Sequence, residues 1–220
     1  EETDIFEKVK DAFLIKYPGS KMKDNLLILS GEVYESGNNN DKALESYKEI
    51  LSTSEDKVVK ESTVSKILDI HLSKNNIEEA KKYIEDITNI DTKNYYNSLI
   101  YEKQNNKEAA MKEYEKLLEN SRYKDYACVN IASKLFAEKN YKKAREYYNQ
   151  VNNMENSIYK DLVLFQIASI DEIEKKNEEA LRGYTKGYVM YDGKYSQVSK
   201  LKAAQLNEKM GKRKRCRSFV

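Results

Sequence analysis

The sequence predicts an all-α fold in which pairs of antiparallel helices repeat along the chain. Three observations carry this reading. Glycine occurs 7 times and proline once in 220 residues, too few breakers for a collagen-like or many-turned all-β chain. Asparagine and glycine punctuation returns at Gly37-Asn38-Asn39-Asn40, Asn75-Asn76, Asn105-Asn106, Asn140 and Asn177. An alanine follows each (Ala43, Ala80, Ala110, Ala144, Ala180), at spacings of 37, 30, 34 and 36 residues. On both sides of these turns apolar residues fall at the i, i+3, i+4, i+7 spacing of an amphipathic helix. Charged residues make up 35% and apolar residues 40%, which suits a stack with much surface per core residue.

The elements follow in order. Ile5 to Phe13 predicts a helix, the second half of a partial repeat over residues 1–20, stopped by Pro18 and Gly19. Full units are expected over residues 22–56, 57–90, 91–122, 123–156 and 157–192. In the first, Leu27, Leu29, Val33 and Tyr34 precede the turn; Ala43, Leu44, Tyr47 and Ile50 follow it. Four residues after each alanine comes a large side chain: Tyr47, Ile84, Tyr114, Tyr148 and Tyr184. Twelve before it stands Gly31, Leu68, Ser98, Ala132 or Ala168, and three after those come Tyr34, His71, Tyr101, Leu135 and Asp171. Small residues let two helices approach, and the large ones fill the space beside that contact. One pair cannot bury its own apolar face, so neighbours must stack. Val198, Leu201, Ala204 and Leu206 predict a capping helix over residues 194–211, before a basic tail at 212–220.

A small residue, tyrosine three later, then alanine and an aromatic four after it resembles the tetratricopeptide repeat (TPR). Gly31 and Tyr34 with Ala43 and Tyr47 match well, as do Ser98 and Tyr101 with Ala110 and Tyr114. Ala132, Ala144 and Tyr148 match in part; the units holding His71 and Asp171 are degenerate. The resemblance covers roughly residues 22–192. It implies an α-α superhelix, a TPR-like solenoid of about five to six repeats and roughly 12 helices. Tyr17-Pro18-Gly19-Ser20 also resembles a repeat ending of bacterial cell-envelope TPR proteins, such as the outer-membrane assembly lipoproteins and the Tol–Pal-associated periplasmic protein.

What the resemblance implies for function is a non-enzymatic protein–protein interaction scaffold or adaptor, holding a peptide or protein in a concave groove lined by first helices. Carried over, the groove positions are Ile28, Glu32, Glu35, Asp69, Leu72, Tyr95, Leu99, Glu102, Tyr126, Val129, Phe136, Phe165 and Glu172. Apolar residues with carboxylates towards the N-terminal half suit a peptide with basic and apolar side chains. Ile28 and Glu32 stand where a chaperone-carboxylate clamp of this family needs Lys and Asn, which disfavours that role.

Catalytic chemistry is absent from the sequence. His71 is the single histidine and occupies the place of Tyr34 and Tyr101, so it reads as a neutral packing residue. Cys128 reads as a small core hydrophobe and Cys216 as a tail cysteine among arginines. There is no phosphate loop, paired-cysteine zinc spacing or nucleophile elbow, so no enzyme, cofactor or metal is expected. The net charge is +2, of which Lys212, Arg213, Lys214, Arg215 and Arg217 supply five positive charges, so the remainder carries −3. That body does not attract nucleic acid, and a nucleic-acid-binding helical repeat using the tail is the alternative, beside the adaptor part of a longer regulatory protein. Self-association is the remaining partner class. No apolar stretch approaches the length of a membrane span. Composition suggests a bacterial source, with cytoplasm and envelope both open, because any targeting signal is expected outside this chain.

Overall fold

A computed structural model of the chain describes residues 2–119 and 121–211. The basic tail at 212–220, with Cys216, lies outside the described residues. Among the described residues there are twelve helices and no strand. They are α1 (Glu2–Lys16), α2 (Lys23–Ser36), α3 (Asn40–Thr53), α4 (Lys57–Ser73), α5 (Ile77–Ile84), α6 (Ile90–Lys103), α7 (Lys107–Lys116), α8 (Lys124–Ala137), α9 (Tyr141–Asn153), α10 (Lys160–Ile173), α11 (Asn177–Met190) and α12 (Lys194–Lys209). The chain divides into two compact units, Glu1–Glu113 and Tyr114–Val220, with the division inside α7.

In the first unit each helix from α1 to α6 packs on the next, and α4 also meets α6. Its core has two clusters. One joins Leu27, Tyr34, Ala43, Tyr47 and Ile50 to Ile67 and Ile70 of the following helix. The other joins Val64, Leu68 and Leu72 to Ala80, Ile84, Tyr96 and Ile100. In the second unit α8 to α12 pack successively and α10 also meets α12. Cys128, Ala132, Ala144, Tyr148 and Val151 share one cluster with Val163 and Ile170; Ala168, Ala180 and Tyr184 share another with Ala203 and Leu206. Every cluster mixes residues from adjacent helix pairs, as expected when one pair cannot bury its own face.

The turns explain the asparagine punctuation. Asn38, Asn75, Asn105, Lys139 and Lys175 all have φ between 57° and 61°. In each turn the next amide donates to a carbonyl five residues back: Asn39 to Tyr34, Asn76 to His71, Asn106 to Tyr101, Asn140 to Leu135 and Lys176 to Asp171. This is the Schellman ending, whose left-handed residue is usually glycine or asparagine. Asn39, Asn106 and Asn140 then cap the second helix by accepting from an amide three residues on. Two turns place lysine in the left-handed region, where a Cβ costs about 1–2 kcal/mol. Lys139→Gly and Lys175→Gly should each stabilise the second unit by about 0.5–1 kcal/mol, because glycine removes that strain but adds unfolded-state entropy. Urea denaturation checks this; Asn38→Gly should gain less.

Carboxylates early in first helices also tie down the loop after the second helix. Ser54 donates to Asp24 at 2.5 Å, Ser157 to Asp125 at 2.8 Å, and Thr88 to Glu61 at 2.5 Å. The bonds join residues about one repeat apart, fixing the first helix against the chain that leaves its own pair.

Candidate protein-interaction faces

The first helices carry the groove positions, and each unit presents its own set. In the first unit, Ile28 is half-buried against the core and Glu32 is exposed. The Glu32 carboxylate accepts from Lys66 Nζ at 2.8 Å, one repeat further on. Glu35 accepts from the Tyr47 hydroxyl, which reaches through from the second helix of the same pair. Asp69 accepts from the Tyr96 hydroxyl at 3.0 Å. Crowding that strips water from part of the Asp69 carboxyl raises its pKa, as does the charge of Glu35; the Tyr96 bond and Lys66 oppose this. Tyr95 is half-buried with its ring 5.2 Å from Tyr96, Leu99 is half-buried, and Glu102 is exposed.

In the second unit, Tyr126 stands edge-on to Tyr114 at 5.7 Å and Phe136 edge-on to Tyr141 at 5.4 Å. Phe165 lies between Tyr184 at 5.6 Å and Tyr195 at 5.5 Å. Glu172 accepts from Tyr184 at 3.0 Å and from Lys202 at 3.2 Å. Aromatic neighbours hold these rings in place, so the faces are ordered before any partner arrives.

Two groove positions do not reach the surface. Leu72 is buried among Leu68, Ala80 and Ile84, and Val129 is buried beside Cys128 and Ala132. Their spacing resembles groove positions, but the packing of the adjacent helices covers them. The sequence reading also missed Tyr47, Tyr184, Lys66, Lys202 and Tyr195, which partner the groove carboxylates and rings. Lys66 stands 34 residues after Glu32 and Lys202 stands 30 after Glu172, a one-repeat separation that was the available signal.

The two degenerate units have separate explanations. His71 is 6% exposed, stacks on Tyr83 at 5.8 Å, and has neither ring nitrogen hydrogen-bonded. Burial pushes its pKa down; Glu79 opposes this, while Lys48, Lys74 and Lys82 add to it. Asp171 instead receives Arg145 of α9 at 2.7 Å, and the same guanidinium reaches Glu174 at 3.2 Å. A buried carboxylate needs such a partner, so Arg145 and Asp171 replace a tyrosine contact by an ion pair. Cys128 is buried and its thiol pKa is pushed up by burial, which is the opposite of an activated nucleophile. Among the described residues no group of three His, Cys, Asp or Glu side chains is arranged to hold a metal, and no helix is long and apolar enough to cross a membrane.

Stacked helix pairs, a repeated Schellman turn and ordered first-helix faces define a helical-repeat protein. A sequence model of the tetratricopeptide repeat matches residues 65–94 and 98–123, so the chain contains tetratricopeptide repeats. No curated protein matches it in sequence. Tetratricopeptide repeats generally mediate protein–protein interaction and are typically non-enzymatic.

Proposed function

We propose that this chain is a non-enzymatic scaffold that binds a protein or peptide segment on its first-helix faces. The observation that carries the reading is the set of ordered, half-buried aromatic and apolar side chains there: Tyr95 and Leu99 in one unit, Tyr126, Phe136 and Phe165 in the other. Glu32, Glu35, Asp69 and Glu172 already accept hydrogen bonds from the chain's own Lys66, Tyr47, Tyr96, Tyr184 and Lys202. Apolar side chains of the partner therefore supply most of the affinity, and its basic groups add specificity by competing for those carboxylates. Residual negative charge on the body disfavours nucleic acid on the same faces.

Crosslinking in the native cell, followed by pull-down with the purified chain, tests this. Tyr126→Ala with Phe136→Ala should weaken capture of the recovered partner at least tenfold while leaving helicity unchanged. Equal capture by a well-folded double variant would remove the second unit's face from the interaction.

A further inference from the structure

The first unit holds an open cavity of about 330 Å³ between the end of α3, the start of α4 and the loop that joins α5 to α6. Lys57, Lys60, Glu61 and Val64 line it at helical spacing, so one side of the first two turns of α4 forms a wall. Asp86 and Thr88 line it from the loop. Leu51 of α3, half-buried, and Val64, buried, supply the apolar lining. The groove positions Asp69 and Leu72 lie on the same helix, but roughly 18 Å or more further along its axis than Lys57.

The charges around this cavity fall into two groups. One group is already engaged. Glu61 accepts from the Thr88 hydroxyl and, at 2.9 Å, from the Asn89 amide, so both of its oxygens are held. Glu85 takes Lys93 at 2.7 Å. Asp56 accepts from the Val58 and Val59 amides and so closes the N-terminal end of α4. The other group is Lys57, Lys60 and Asp86. Among the described residues these three side chains make no hydrogen bond and no ion pair, with one another or with any other group. Two ammonium groups and one carboxylate therefore border a single cavity without pairing across it. A simple anion there would face Asp86, and a simple cation would face Lys57 and Lys60. A small molecule with both charges on an apolar body satisfies all three, through charge-assisted hydrogen bonds and burial against Leu51 and Val64.

We propose that this cavity binds a free aliphatic α-amino acid. Its carboxylate meets Lys57 and Lys60, its ammonium meets Asp86, and its side chain lies against Leu51 and Val64. The volume is at the small end of the range of ligand pockets, about 300–1,000 Å³. Titration of the whole chain with L-leucine, isocaproate and isoamylamine, followed by methyl NMR at Leu51 and Val64, tests it. Isocaproate is leucine without its ammonium, and isoamylamine is leucine without its carboxylate. Leucine should give saturable shifts at both residues, and each of the other two should bind about tenfold more weakly. Lys57→Gln with Lys60→Gln should weaken leucine about tenfold, with helicity unchanged because neither side chain holds a partner. Should that double variant fold poorly, Lys60→Gln alone carries the test. Asp86→Asn should remove the preference for leucine over isocaproate. Absence of saturable shifts, equal binding of leucine and isocaproate by the wild type, unchanged leucine binding by the lysine variants, or a preference that survives Asp86→Asn would each overturn the proposal. Partner capture is read at Tyr126 and Phe136 in the other unit and is unaffected by these outcomes.

Discussion

Gly31→Ala should destabilise the first unit by about 1–3 kcal/mol, despite exchanging a helix-interior glycine for the best helix former. Propensity alone would stabilise by about 0.5–1 kcal/mol. Geometry overrides it: a Cβ on Gly31 would stand 2.2 Å from Tyr47 Cε1 and 2.5 Å from its Cζ. The Tyr47 ring is fully buried and its hydroxyl is held by Glu35, so it has no free direction in which to yield. Tyr47→Ala should cost more, about 3–5 kcal/mol, from the lost ring and the cavity it leaves. The double variant should cost less than the sum of the two, because the alanine methyl then enters vacated space. Urea denaturation of the four proteins measures this coupling, expected at about 1–2 kcal/mol. Additive costs would mean that the contact between Gly31 and Tyr47 does not set the helix spacing.

Stability should also fall as the solution is acidified below the pKa of an unfolded histidine, about 6.5. The imidazole of His71 is buried with both nitrogens unpartnered, and burial lowers its folded-state pKa. The unfolded chain therefore binds a proton at a pH where the folded chain does not. The stabilisation from keeping His71 neutral is present above the unfolded pKa and is lost as pH falls through the folded one. One proton limits the slope to about 1.4 kcal/mol per pH unit. The effect is isolated by comparison with His71→Phe, which keeps the ring against Tyr83 and removes the unpaired nitrogens. That variant should be as stable as the wild type or more so near neutral pH, and should lose this part of the acid dependence. NMR titration of the single imidazole gives the pKa directly. A value above 7, or parallel pH profiles for the two proteins, would mean that a negative partner holds the cation.

Several features were legible in the sequence because they are local. The alanine spacing of 37, 30, 34 and 36 residues is also the spacing of the left-handed turn residues from Asn38 to Lys175. Asparagine tolerates that backbone and caps the next helix, so the turn is written in two or three adjacent letters. His71 as a buried, neutral packing residue followed from its register alone. Lys139 and Lys175 were not legible, since lysine has no preference for the left-handed region and is held there by the helices on either side.

Contacts between pairs were the part that local pattern did not hold. Leu72 and Val129 have groove spacing, yet adjacent helices bury them. Asp171 looked like a fault in the repeat until Arg145, 26 residues earlier, was placed against it. The carboxylates of the first-helix faces read as open charges, but Lys66, Lys202 and the hydroxyls of Tyr47, Tyr96 and Tyr184 engage them from other helices. The sequence by itself determined the helices and their turns, because backbone preference and period act over a few residues. Tertiary structure decided which side chains stay available to a partner, because burial and hydrogen bonding depend on residues in other helices, of the same pair or one repeat away.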